Sequence, residues 1–383
     1  MPFFSGRLTC CRYRVSGRSP RLFGPEQLEQ LSAHIIGKQR IRSGDGTEIG
    51  WTAADHILDT RFDLAKNIVN DTLHFALRID TQKFPSDLLY AYTQVELQGL
   101  AANNPSGLPS AKQKREARML AKERLEAEAK DGRFLRRKAI PLLWDAPSNE
   151  LLVGSTSASI ADHLHRLFHE TFDRKLELLG AGKQAFQHAE ASNLTKGVDD
   201  ASPSPFVAGQ PEAVAWLPDE TNRDFLGNEF LLWLWYMVEN ESDTIALSDK
   251  SEAALMLARS LVLECPRGQT GRESISSDAP AKLPEAFRAI QLGKLPRKVG
   301  LTIVRHDNQY ELTLQAETLA ITGARLPPVE GDDDRARRDA RIGLIRHLLE
   351  TLDLLYAAFS ERRCSTAWPK DMAKIKKWLH GGE

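Results

Sequence analysis

The sequence predicts a mixed α+β fold, with mixed or antiparallel sheets covered by packed helices. Three observations lead there. Runs such as Thr72–Ile79 roughly alternate apolar and polar residues, the period of a half-buried strand. Other stretches have helical spacing, as in Ser155–Phe172, where Ile160, Leu164, Leu167 and Phe168 share one face. The segment FLGNEFLLWLWYMVEN is apolar around most of a helix circumference and belongs in a core.

Taken in order, Gly6–Val15 reads as a strand, broken at Gly24-Pro25 before an amphipathic helix at about Glu26–Ile36. A turn at Ser43–Gly46 leads to a short strand through Ile49 and Trp51. After the Thr72–Ile79 strand, Pro85-Ser86 starts a helix that Ser86 caps and Asp87 suits electrostatically. Asn103–Gly107 is a loop. Residues 111–130 are good helix formers with only Met119, Leu120 and Leu125 bulky and apolar, so this helix is expected to project into solvent or bridge two bodies. Its pairs Lys122–Glu126 and Glu126–Lys130 lie one turn apart. Past Asp131-Gly132 the pattern is strand, turn, strand: Phe134–Trp144, Pro147–Asn149, Leu151–Gly154.

From about Ala181 to Gln210 periodicity is lost and Ser, Pro, Gly and Asp increase. This divides the chain into an N-terminal α+β domain (1–184), a linker (185–210) and a C-terminal α+β domain (211–383) ending in long helices. In the second half, Thr221–Asp224 caps the apolar helix. Strands follow at Thr244–Ser248 and Leu255–Cys265, then a polar loop at Pro266–Pro280 and a helix at Pro284–Leu292 ending at Gly293. Strands Val299–Arg305 and Tyr310–Gln315 precede a long helix, about Arg335–Arg362. Ile345, Leu348, Leu352, Leu355 and Phe359 form a 3-4-3-4 seam just over two heptads long. A seam so short favours core packing over a helix–helix dimer contact.

At 383 residues, 42% hydrophobic and 27% charged, the composition is that of an ordinary soluble globular protein, and no run approaches the length of a bilayer span. The N-terminus lacks a basic region followed by an apolar one, so no signal peptide is expected. Cys10, Cys11, Cys265 and Cys364 form no CxxC pair, which argues against zinc or a disulfide scaffold and fits a reducing cytoplasm. No GxxxxGK[ST], GxGxxG or GxSxG occurs, and neither a catalytic residue nor a cofactor is assigned. His163, His165 and His169 lack a pattern that completes a metal site and read as solvent-facing. Asp55, Asp59 and Asp63 have spacing that places them on one helical face, and carry the alternative of a metal-dependent nuclease. A protein-interaction scaffold docked through the charged helix is a third reading.

Charge is more informative. The formal net charge is −1, yet Ala111–Lys138 holds eleven Lys/Arg against five Asp/Glu. Lys112, Lys114 and Arg115 gather at the start of its helix. Arg133, Arg136, Arg137 and Lys138 surround Phe134, an aromatic expected to be exposed. Ala281–Gly300 adds five Lys/Arg, including Lys294, Arg297 and Lys298, against one Glu. Two separated basic surfaces suit a protein that grips phosphate backbones by charge rather than by sequence, and solvated faces are the competing explanation.

The order of segments resembles the bacterial recombination-associated protein RdgC family. A strand-rich start leads to Phe84-Pro85-Ser86 opening a helix, a charged Lys/Arg/Glu helix, then GRFLRR…PLLWDAPSNELLVGSTS before an amphipathic helix. EAFRAIQLGKLPRKVGLTI is similar to the family's E-x-x-x-x-I-x-x-G-K-x-x-x-[KR] segment. The likeness covers most of the chain. The 185–210 stretch, the strongly apolar helix and the tail through Trp368 and Trp378 depart from it. The resemblance implies an elongated, curved protomer and a homodimer closing into a ring around double-stranded DNA; whether single strands also bind is left open. It also implies functional antagonism with RecA in recombination and replication, and a cytoplasmic, nucleoid-associated location. By position, Arg133 and Phe134 fall on the family's P-R-x-F segment and Lys294 on its G-K, both tied to DNA contact or ring closure. Arg267 and Gln269 lie near a basic-Gln loop, and Lys83 near a lysine that precedes the Pro-Ser helix start.

Overall fold

A computed structural model describes residues 3–38, 47–102, 104, 107–207, 214–217, 222–266, 272–276 and 284–380. The first third of the chain holds β1 (Leu8–Val15), α1 (Pro25–Ala33), β2 (Glu48–Thr52), α2 (Leu64–Asn67), β3 (Ile68–Val69), β4 (Thr72–Gln82), α3 (Ser86–Ala101) and α4 (Ala111–Glu128). Next come β5 (Leu135–Asp145), β6 (Glu150–Val153), α5 (Ala161–Phe172), β7 (Leu176–Leu178), α6 (Ala181–Ser192), α7 (Thr195–Asp199) and α8 (Phe225–Tyr236). The remainder comprises β8 (Thr244–Ala246), β9 (Glu252–Glu264), β10 (Glu273–Ser276), α9 (Pro284–Gln291), β11 (Leu295–Arg305), β12 (Asn308–Gln315), β13 (Ile321–Arg325), α10 (Asp334–Arg363) and α11 (Trp368–Leu379). The protein is therefore α+β, with extensive antiparallel pairing and packed helices. The turn expected at Ser43–Gly46 and Thr221 lie outside the described residues, as does most of the 103–107 loop.

The chain forms two compact units, and their boundaries differ from the expected ones. One comprises Met1–Gly24, Leu64–His74 and Pro141–Glu383; the other comprises Pro25–Asp63 and Phe75–Ile140. Residues 185–207 are not a linker. They carry most of α6 and all of α7, and bury Ala185, Ala189, Val198, Ala201 and Phe206. Sequence periodicity misses these helices because they pack through small residues rather than large apolar ones. A β-carbon on Gly197 would lie 2.6 Å from the Cys364 carbonyl oxygen, and one on Gly182 2.9 Å from the Arg223 backbone.

In the larger unit the strands run in the order β10-β9-β11-β12-β13-β1-β6-β5. β1 joins the early and late parts of the chain. Leu8 pairs with Ala324 of β13 on one side, and Cys11 with Val153 of β6 on the other. β10 lies within the segment expected to be loop, and β13 was not foreseen. β13 is five residues, ITGAR, with two small positions that weaken the strand pattern. Every residue of α8 is buried, as its all-round apolar sequence requires. Gly227 allows this close seating, since a β-carbon there would fall 1.8 Å from the Ala316 carbonyl oxygen. Asp333 caps α10 by accepting from the Ala336 N–H at 2.7 Å. The seam Ile345, Leu348, Leu352, Leu355 and Phe359 is buried in the same core, where Phe230 meets Tyr356 edge-on at 5.1 Å.

In the smaller unit β2 pairs antiparallel with β4, Ile49 opposite Ile79 and Trp51 opposite Leu77. Trp51 is fully buried, edge-on to Phe75. α3 and α4 pack together, and α4 buries Ala117, Ala121 and Leu125, spaced four apart. The charged helix is thus one arm of a helical pair. Its alanines, which carry no bulky-residue signal, supply the contact. Ser86 is the first helical residue of α3 rather than its cap, which falls on Pro85 without a side-chain bond.

Candidate nucleic-acid interface

The cations of the 111–138 stretch all lie in the smaller unit, and α4 separates them into two groups. A capping box starts α4: the Gln113 N–H donates to Ser110 Oγ at 3.2 Å, and the Ser110 N–H donates to Gln113 Oε1 at 2.9 Å. Lys112, Lys114, Arg115 and Arg118 follow at once. All four are exposed, and among the described residues none reaches a carboxylate within 4.0 Å. Lys112 and Lys114, in the first turn, face the positive end of the helix dipole, an arrangement that costs a few tenths of a kcal/mol each and that a bound anion relieves.

Further along, charge is internally balanced. Lys122 pairs with Glu126 at 3.5 Å and Arg124 with Glu128 at 3.6 Å, while the expected Glu126–Lys130 contact is not among the ion pairs of the described residues. Gly132 takes a left-handed backbone conformation, φ 83°, and turns the chain into β5. Arg133 binds Asp131 at 2.6 Å, holding that carboxyl below its usual range, and also approaches Glu128 at 3.9 Å. It is therefore exposed but already neutralised.

Strand alternation then separates the next three cations. Arg136 and Lys138 share one face of β5, exposed and without an ion-pair partner among the described residues. Arg137 lies on the other face, 3.8 Å from Asp80, a carboxylate that Arg78 already grips through Nε at 2.8 Å and Nη2 at 2.6 Å. Phe134 is not an exposed aromatic. It is half-buried, edge-on to Phe84 at 5.7 Å, and its carbonyl accepts from the Lys83 N–H at 3.0 Å. The Lys83 side chain is exposed.

The second basic stretch, in the larger unit, differs from expectation. Lys294 is 7% exposed and ion-paired with Glu273. Arg297 sits between Glu264 at 2.8 Å and Glu317 at 2.7 Å, with its guanidinium 4.3 Å above the Trp216 ring. Lys298, half-buried, and Arg288, exposed on α9, lack a carboxylate partner among the described residues. The cause is the Gly293 turn, φ 90°, which ends α9 and feeds Lys294 directly into the β11–β9 pairing. Arg267 and Gln269 lie outside the described residues.

The alternative chemistries fare as follows. The Asp55–Asp63 segment is not a helix, so its three carboxylates share no helical face. Asp59 is buried, and its carboxylate accepts from the Arg61 N–H at 3.2 Å. His165 and His169 face solvent on α5, and His169 lies 3.8 Å from Asp173. Among the described residues no three His, Cys, Asp or Glu side chains are grouped to hold a metal ion, and no helix is long and apolar enough to cross a membrane.

A polar site that sequence reasoning missed lies in the larger unit. The Arg12 guanidinium donates to both oxygens of Glu150, at 2.8 and 3.1 Å, and to both oxygens of Asp353, at 2.5 and 2.8 Å. Burial alone would lower the Arg12 pKa, but these two carboxylates outweigh it and raise the value. Arg346 binds Asp145 at 2.7 Å, and Arg305 joins Asp249 at 2.5 Å to Glu350 at 2.9 Å. These groups border or back a cleft of about 800 Å³. Its members come from β1, β5, β6, α6 and α10, so no local motif announces it. No protein-family model and no curated protein matches the chain.

Proposed function

We propose that the protein binds double-stranded DNA without regard to sequence, as a non-enzymatic RdgC-like protein. In this reading it works as a homodimer that encircles the duplex and limits RecA-dependent recombination. The observation that carries the proposal is the set of exposed cations without carboxylate partners in the smaller unit: Lys112, Lys114, Arg115 and Arg118 at one end of α4, Arg136 and Lys138 beyond the other. α4 has 18 residues, about 27 Å at ~1.5 Å per residue, so the two groups fit successive contacts along a phosphate backbone rather than one point charge. Lys83 and Lys298 add accessible charge, while Lys294, Arg297 and Arg133 serve internal ion pairs.

Fluorescence anisotropy of a labelled mixed-sequence duplex, titrated over a range of salt, tests this. Binding should weaken log-linearly with salt, each phosphate contact adding about 0.9 to the slope. A flat salt dependence, or no binding at low salt, would sink the proposal. Light scattering without DNA should report a dimer.

A further inference from the structure

We infer that the cleft along α10 binds a linear aliphatic polyamine, an extended methylene chain carrying two or more ammonium groups. The cleft's floor is apolar, formed by Leu143, Leu152, Ile345, Leu349, Leu354 and Ala357. Along one side, α10 presents Glu350, Asp353 and Glu361. At ~1.5 Å rise per residue, Asp353 stands about 4.5 Å beyond Glu350, and Glu361 about 12 Å beyond Asp353.

The charge around the cleft is unbalanced. Arg12 faces two carboxylates, Glu150 and Asp353. Arg305 faces two more, Asp249 and Glu350, while Arg346 faces only Asp145. Glu361 has no cation within 4.0 Å among the described residues and meets only the Ser192 hydroxyl, at 3.5 Å. Arg14 also reaches Glu150, at 4.0 Å, so six carboxylates against four guanidiniums leave an excess of two negative charges, in a chain whose formal net charge is −1. The two histidines at the rim add no compensating charge at neutral pH. Burial lowers the pKa of His188, against the pull of Asp353, and that of His347.

The form of the cation follows from geometry. Acids spread over about 16 Å of helix cannot converge on one metal ion, which takes oxygen ligands within about 2.6 Å. An extended polycation can meet them in turn. Its methylenes lie over the apolar floor, where removal from water favours binding. The cleft's volume, about 800 Å³, is that of a small-molecule site rather than of a docked protein domain.

Isothermal titration of the full chain in the absence of DNA tests this independently of the DNA-binding reading. Spermidine should bind saturably at one site, and putrescine, too short to span Asp353 to Glu361, at least tenfold more weakly. Magnesium chloride at the same concentration should not displace spermidine. Glu361→Gln, an exposed change outside the core, should weaken spermidine about tenfold and leave the melting temperature unchanged. Absent saturation, displacement by magnesium, equal affinity for putrescine, or unchanged affinity in Glu361→Gln would each overturn the proposal. So would binding of a lysine-rich peptide by a protein that ignores spermidine.

Discussion

Arg12 and Asp353, 341 positions apart in the chain, are joined by two hydrogen bonds, Nη1 to Oδ1 at 2.5 Å and Nη2 to Oδ2 at 2.8 Å. Glu150 accepts from Nε at 2.8 Å and from Nη2 at 3.1 Å of the same guanidinium. Replacing Arg12 by Met strands two carboxylates at the base of the cleft, one of them nearly buried. It should cost about 3–5 kcal/mol, measured by urea unfolding. Removing all three charges together, with Glu150→Met and Asp353→Leu, should cost less than the single change, because no buried charge then lacks a partner.

Arg136 and Lys138 carry the sharpest DNA prediction. Changing both to Glu should lower the salt-dependence slope for duplex binding by about 1.8 and weaken binding at least tenfold at low salt. Both side chains are exposed and without ion-pair partners among the described residues, so the thermal melt should hold within about 0.5 kcal/mol of wild type. Unchanged anisotropy would remove these residues from the interface.

Lys294→Glu should behave differently, as a stability variant. It reverses a buried charge beside Glu273 and should cost about 3 kcal/mol, read as a lower denaturant midpoint. Lys294→Met, which keeps the stem and loses the charge, should be milder because the Glu273 side chain is about half exposed. Any loss of DNA binding in Lys294→Glu should track the unfolded fraction.

His74 predicts an acid limit to stability. Burial, with the nearby Arg338 charge, pushes its pKa down to about 3, and neither ring nitrogen has a hydrogen-bond partner among the described residues. Phe3 and Phe4 lie edge-on to the ring. Because the folded-state pKa is below the unfolded one, the unfolded chain takes up a proton first as pH falls. The contribution is complete above pH ~6.5 and is lost by up to about 1.4 kcal/mol per pH unit between pH ~6.5 and ~3. His74→Leu should flatten that part of the stability–pH curve, measured by denaturant midpoints across pH.

The extent to which the sequence was legible follows from the kind of contact each element makes. α8, apolar all round, and α10, with its seam of large residues, carry their burial in their own patterns. α6 and α7 pack by close approach of Gly and Ala, which leaves no periodic signal. The α4 contact with α3 rests on Ala117, Ala121 and Leu125, so the helix read as projecting when it is paired. For the candidate site, local charge density was readable and pairing was not. Arg136 and Lys138 are accessible, whereas Lys294 and Arg297 are occupied by carboxylates 20 to 33 positions away, a proximity that only the folded sheet creates.

The place of β1 at the seam of the larger sheet has a consequence for synthesis on the ribosome. Its neighbour β13 begins at Ile321, and the α10 carboxylate that binds Arg12 comes later still. At 5–20 residues per second, β1 waits about 15–60 s for the partner on that side. Over the same interval β6 covers its other edge from residue 150 onward, and the smaller unit, complete by Ile140, can already fold. A nascent chain stalled before β13 should therefore offer Leu8 and Cys10 on an open strand edge, where a general chaperone would bind and a full-length chain would not be captured.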